Sequence, residues 1–147
     1  AFCGDNDTNI ILNKLAKRWG GELVEDQQRI KDLAKIVFSK SQVVPLHLLG
    51  TDMQMQIWQN LLKIPYATVK SYSDLANTIG RPNAVRAVAS AIGANPICWV
   101  IPCHRVLSKK NKLSGYRWGQ DLKVALLSHE SKLSPERLFD LQYSCLK

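Results

Sequence analysis

The chain has 147 residues, 46% of them apolar, enough for one compact domain or a small one beside a larger one. No apolar run approaches the roughly 20 residues that span a bilayer, and Ala1 to Asp5 lack the basic and apolar regions of a signal peptide. A membrane partner is therefore not expected, and the location expected is cytoplasmic. Residues 1–53 carry 7 basic and 7 acidic side chains, whereas residues 54–147 carry 13 and 5, so the whole net charge of +8 lies in the second part. A basic module after a neutral one suggests a polyanion, nucleic acid first, the bland alternative being a solvated basic surface. The four cysteines, Cys3, Cys98, Cys103 and Cys145, form no C-x-x-C pair and have no histidine at ligand spacing, so no metal is expected. Their even number permits two disulfides, but nothing else suggests a secreted scaffold, and reduced thiols are expected.

Residues 9–19 have a helical stripe of Ile10, Ile11, Leu15 and Trp19, ended by Gly20-Gly21, and residues 26–39 another of Ile30, Leu33, Ala34 and Val37. Val43 to Leu49 is rich in β-formers but contains Pro45, which predicts an edge strand. Gly50 closes this first part. Thr51-Asp52 caps an amphipathic helix through Met53, Ile57, Trp58, Leu61 and Leu62, stopped by Ile64-Pro65. Ser71 and Asp74 have capping-box spacing and start a short helix, with Gly80 as its terminal glycine. Pro82 then begins another helix, Asn83 to about Ile92.

Helix, tight turn, helix is a helix-turn-helix pattern. In the second helix, Val85, Val88 and Ile92 can face a core. Ala84, Ala87 and Ala91 form a neighbouring face of small side chains, with Ser90 beside them. Such a face allows close approach, either to another helix or to a duplex that Arg86 would contact.

Cys98-Trp99-Val100-Ile101 reads as a buried strand, which Pro102 ends so that the following residues are exposed. Cys103 beside His104 and Arg105 is then a candidate nucleophile, since positive charge or a hydrogen-bonded base favours thiolate. The alternative is a structural cysteine with a solvent-facing histidine. Neighbours in an extended chain point opposite ways, so a turn or a bridging water would have to join His104 to Cys103. Glu130, on a helix from about Asp121 to Ser131, is the candidate to orient the imidazole; a surface Glu130 and a role for His129 are the alternatives.

The run Ile101 to Val106 resembles the active-site signature of the O6-alkylguanine-DNA alkyltransferases. Ser71 to Ala76, Ala84 to Val88, Ala94-Asn95-Pro96 and Leu113 to Gly119 match the family in order and spacing, over roughly Gly50 to Glu130. Within the family the chain looks like the C-terminal domain of the bacterial adaptive-response protein. The resemblance implies direct, single-use transfer of an alkyl group from O6 of guanine to Cys103, without a metal or organic cofactor. His104, through a water, and Glu130 would relay the proton, and Asn95 would hold the turn. Tyr72 would donate to N3 of the leaving guanine. Tyr116 and Trp118 would shape the pocket, with the Arg117 amide at O6 and the Cys103 and Val106 carbonyls at the guanine amine. Arg86 would fill the gap left by the flipped base, and Ala84, Ala87 and Ser90 would lie against the minor groove.

The implied fold is α+β: a mainly helical alkyltransferase domain, 51–147, after a short α/β, ribonuclease-H-like subdomain, 1–50. The implied partner is double-stranded DNA containing O6-alkylguanine, bound by a monomer, nucleoid-associated in a bacterium. The short first part suggests a fragment of a longer protein, in which a gene-regulatory domain could precede it. Some relatives have proline at position 98 and a smaller residue at 118; Cys98 and Trp118 therefore imply a narrow pocket that prefers methyl to benzyl. Three other readings compete: a lesion binder that transfers nothing, a Cys–His hydrolase, and a purely structural helix-turn-helix regulator. Ser134-Pro135-Glu136 reads as the start of a capped extra helix.

Overall fold

The computed structural model describes residues 8–38, 45–108 and 115–132. The chain divides into two units, Ala1–His47 and Leu48–Lys147. In the first, α1 (Thr8–Trp19) and α2 (Gln27–Phe38) form where the periodicity placed them. Their stripes are not a closed core: Ile10, Trp19, Ile30 and Leu33 are exposed, and only Ala34, Ile36 and Val37 of α2 are half-buried. The edge strand expected at 43–49 is not formed in its described part, 45–49. Pro45 has no N–H to give to a ladder. Cys3, Cys145 and the expected helix after Ser134 lie outside the described residues.

Among its described residues the second unit is mainly helical with one short pair of strands, an α+β arrangement. Its first helix, α3 (Asp52–Leu62), starts at a full capping box: Gln54 N–H donates to the Thr51 side chain, and the Gln54 side chain accepts from Thr51 N–H. Ile57, Trp58 and Leu61 are buried, while Leu62 faces out. Trp58 is fully covered, and its indole N–H donates to Ala91 O at 2.9 Å. That bond satisfies the one polar atom of a large core side chain. Gly50 packs so closely on it that a Cβ there would stand 2.8 Å from the indole ring.

The second capping box, Ser71 with Asp74, starts α4 (Tyr72–Thr78). Gly80 follows with φ +70°, a left-handed conformation that lets the chain turn back on itself. Pro82–Ala84 makes one 3₁₀ turn, and α5 (Val85–Gly93) follows. α5 packs on both α3 and α4 through Val88, Ala91 and Ile92. The alanine face is therefore divided: Ala91 is in the core, Ala84 is half-buried, and Ala87 is exposed.

Two short strands, β1 (Lys70–Ser71) and β2 (Val106–Leu107), pair in parallel with Lys70 opposite Val106. This pairing places the start of α4 beside the segment that follows Cys103. The last described helix, α6 (Gln120–Ser131), closes this side with Val124 and Leu127 against Leu107. No helix among the described residues is long and apolar enough to cross a membrane.

Candidate active site

The apolar run before Pro102 is a turn rather than the expected strand. Its backbone bonds are local: Val100 N–H donates to Cys98 O and Ile101 N–H to Ile97 O. Trp99 takes φ +73°. Asn95 is fully buried and fastens both ends, its amide donating to Ile101 O at 2.9 Å and its carbonyl accepting from Ile97 N–H at 3.0 Å. One side chain thus supplies the donor and acceptor that a neighbouring strand would otherwise supply.

Cys103, His104 and Arg105 form a single 3₁₀ turn. The expectation that this break exposes the cysteine is wrong: Cys103 is 3% exposed and His104 is fully buried. Wrapping the chain back under Asn95 carries the thiol inward, to the base of a cleft lined by Tyr72, Ala89, Ile92, Tyr116, Arg117 and Trp118, among others. The cleft leaves about 20 Å³ for the centre of a water-sized molecule. The Cys103 thiol lies 3.6 Å from the Tyr116 hydroxyl. Burial, then the neighbouring Cys103, raises the pKa of Tyr72 and Tyr116 above that of an ordinary phenol, so both stay protonated donors.

His104 Nε2 lies 2.8 Å from Glu130 Oε1. Glu130 is 4% exposed, at the edge of the buried face of α6. His129, the alternative, is exposed. Glu130 also accepts from Arg105 Nε and Nη2, each at 2.8 Å, and from Ala67 N–H at 3.3 Å. Burial alone would raise its pKa, but hydrogen bonds from Arg105 and His104 outweigh this and hold the carboxyl below its usual range. Burial lowers the His104 pKa against the pull of Glu130, with Arg105 and Lys123 adding to the lowering. A neutral imidazole facing a carboxylate carries its proton on Nε2 and leaves Nδ1 as an acceptor. Nδ1 is buried and has no protein hydrogen-bond partner. Such an arrangement can accept a hydrogen bond or a proton at Nδ1.

Two contributors were not anticipated. Arg105 does more than supply charge, since its Nη1 also donates to Ile64 O at 2.7 Å and its guanidinium lies over Tyr66. Lys123 is 1% exposed, donates to Val106 O at 2.8 Å and lies 5.5 Å from the Tyr116 ring centre. Burial lowers its pKa from 10.5 to about 8. The Val106 carbonyl is thus already engaged, as is that of Cys103, which accepts from Val106 N–H; each keeps a second lone pair for a ligand.

Arg86, Ala87 and Ser90 are not at the cleft but on the exposed face of α5. Ala84 is half-buried where α5 begins, and Val106 is buried in β2. Arg117 donates to Gly93 O at 3.2 Å and lies over Trp118. Trp118 lines the cleft, whereas Cys98 is half-buried and is not among its lining residues.

The site thus joins a buried cysteine to a histidine held by a carboxylate, in the same unit as the helix, turn and helix that carry Arg86. Residues 52–132 match the sequence model of the 6-O-methylguanine DNA methyltransferase, DNA binding domain. The inducible methylated-DNA–protein-cysteine methyltransferase of Bacillus subtilis is 44% identical over 144 residues, covering 92% of this chain and 80% of that one. The bifunctional transcriptional activator/DNA repair enzyme Ada of Escherichia coli is 52% identical over 89 residues, which cover 60% of this chain but 25% of Ada. Mycobacterium tuberculosis OGT, solved in complex with DNA, has a TM-score of 0.63 at 40% identity, covering 76% of this chain and 71% of that one. The chain belongs to the methylated-DNA–protein-cysteine methyltransferase family.

Proposed function

We propose that this chain repairs DNA by taking an alkyl group, methyl first, from O6 of guanine and keeping it on Cys103. The observation that carries the reading is the buried thiol at the base of a cleft, next in sequence to a neutral histidine fixed by a buried carboxylate. His104 Nδ1 takes the Cys103 proton, directly or through one water, while Glu130 and Arg105 hold the imidazole as charge develops on it. The thiolate sulfur then displaces guanine at the alkyl carbon. The C–O bond breaks, the C–S bond forms, and the electron pair leaves on the guanine. Tyr72, a protonated phenol in the cleft, donates to that leaving group, and the Arg117 amide meets O6. The thioether has no easy way back, so each molecule acts once.

An alkyl carbon on O6 is out of reach inside a duplex, so the base must be extruded, at a cost of a few kcal/mol. Arg86 on the exposed face of α5 fills the vacated stack, with Ala84, Ala87 and Ser90 against the minor groove. The groove's limited sequence code suits a protein that must scan any sequence. Trp118 narrows the cleft and favours methyl; faster reaction with a benzylated guanine would count against this. Residues 1–50 are read as a short form of the family's ribonuclease-H-like subdomain, with α1 and α2 its helical part, and residues 51–147 as the alkyltransferase domain. The protein acts as a monomer on the nucleoid.

The test is the intact mass of the protein after mixing with a duplex that contains one O6-methylguanine. The expected result is a gain of one methyl in place of a hydrogen, mapped to Cys103 and absent from Cys103→Ser. An unchanged mass, with the thiol reduced and the duplex bound, would overturn the reading.

A further inference from the structure

Trp99, in the turn before Cys103, has no part in the chemistry above. Its φ of +73° is a conformation that bulky side chains rarely take, and such strained positions persist where the surrounding structure holds them. Its indole lies 6.2 Å from the His104 ring, centre to centre, and 12° from parallel, within the range of an offset stack. The His129 ring lies 5.9 Å from the same indole, tilted by 49°. Helix α6 therefore acts on His104 twice, directly through Glu130 and, from the residue before it, through His129 and Trp99.

We propose that Trp99 is a positioning residue for His104: the indole fixes the tilt of the imidazole and so aims its Nδ1 lone pair at the Cys103 proton. This rests on the reading of His104 as the base. The hydrogen bond to Glu130 ties down Nε2, while Nδ1 has no protein hydrogen-bond partner. The last torsion of a histidine side chain is soft, and its axis passes close to Nε2. Rotation about it leaves the Glu130 bond nearly intact but swings Nδ1, whose lone pair lies in the ring plane. A ring stacked on the imidazole resists that rotation. It also presents a π face, which favours the imidazolium formed when Nδ1 takes the proton. Glu130 favours that cation too, whereas Arg105 and Lys123 oppose it. Trp99 thus supports the protonated ring without adding a charge to the site.

The test uses the full chain and methyl iodide, a one-carbon electrophile that needs no DNA. The Cys103 sulfur displaces iodide and keeps the methyl, and fragment masses of the tryptic peptide Ala87–Arg105 separate Cys103 from Cys98. The rate at Cys103 is followed across pH in the parent, Trp99→Leu and Trp99→Phe. In Trp99→Leu the rate near neutral pH should fall by about 2- to 10-fold, the worth of one aromatic pair. Its rise with pH should also move to higher pH, because a poorly aimed base yields thiolate less readily. Trp99→Phe keeps a ring and should recover most of both. A merely structural role predicts the reverse, since looser packing exposes the buried thiol and speeds its reaction. A faster reaction or an unmoved pH profile in Trp99→Leu would overturn the proposal, as would a Trp99→Phe variant no better than Trp99→Leu. Methyl transfer from the O6-methylguanine duplex is read in parallel. A parent that reacts at Cys103 with methyl iodide but not with the duplex marks failure of the repair reading alone.

Discussion

Replacing Glu130 with glutamine changes one atom and removes one charge. The carboxylate accepts four hydrogen bonds, from His104, twice from Arg105, and from Ala67 N–H. A glutamine offers one oxygen, so its NH₂ must face two of those donors. If it faces His104 and Arg105 Nη2, the imidazole has to accept at Nε2 and move its proton to Nδ1, which ends its use as a base. If it faces Arg105 Nε and Ala67, the base survives but Arg105, its side chain 13% exposed, still loses its counter-ion. Removing one partner of a buried pair costs about 3–5 kcal/mol. At roughly 4–8 °C per kcal/mol for a unit of this size, Tm falls by about 12 °C or more. With the first amide orientation the rate of methyl transfer also falls by about 10²–10⁴, the usual worth of a general base. Thermal unfolding and single-turnover transfer measure the two effects. A Glu130→Gln variant with unchanged Tm and unchanged rate would refute the account of this network.

His104 has a lowered pKa when folded and 6.5 as its ordinary value, so below pH 6.5 the unfolded chain binds a proton that the folded one does not. Stability is therefore fully present above 6.5 and falls with decreasing pH below it, by at most about 1.4 kcal/mol per pH unit from this group; denaturant titrations should show that fall in the parent and lack it in His104→Gln. Gly50→Ala would bring a methyl to 2.8 Å from the Trp58 ring, and overpacking of this kind costs about 1–3 kcal/mol, read as a lower denaturation midpoint. Arg86→Ala should slow methyl transfer from duplex DNA by about 10²-fold, the scale of a lost few-kcal/mol contribution to base extrusion. Transfer from the free base O6-methylguanine should be unchanged, and an equal loss with both substrates would assign Arg86 a different role.

The Ser71–Asp74 capping box and the Thr51 cap were legible because such signals are local, satisfying a helix end within one turn of chain; the Gln54 side chain that completes the Thr51 box was not read. The link from His104 to Glu130 was also legible, since a carboxylate beside Leu126 and Leu127 needs a partner. The run Cys98 to Ile101 misled because it is apolar and ends at a proline, as a buried strand would. Its shape is set by the Asn95 side chain, which no periodicity reports. Cys103 was placed outside for the same reason. Lys123 had a readable signal that went unused: it lies four residues before Leu127 and seven before Glu130, on the same face of α6. The second task of Arg105 had none, since its partner carbonyl, Ile64, is 41 residues away.

Glu130 gathers groups from three stretches that are far apart in the chain: Ala67, the His104–Arg105 pair, and α6 itself. On a ribosome the first two are made before the third. Until α6 has left the exit tunnel, the imidazole has no carboxylate to fix its tautomer, and the thiol next to it has no oriented base. On the chemistry proposed above, the order of synthesis delays activation of the acceptor until α6 can close on it.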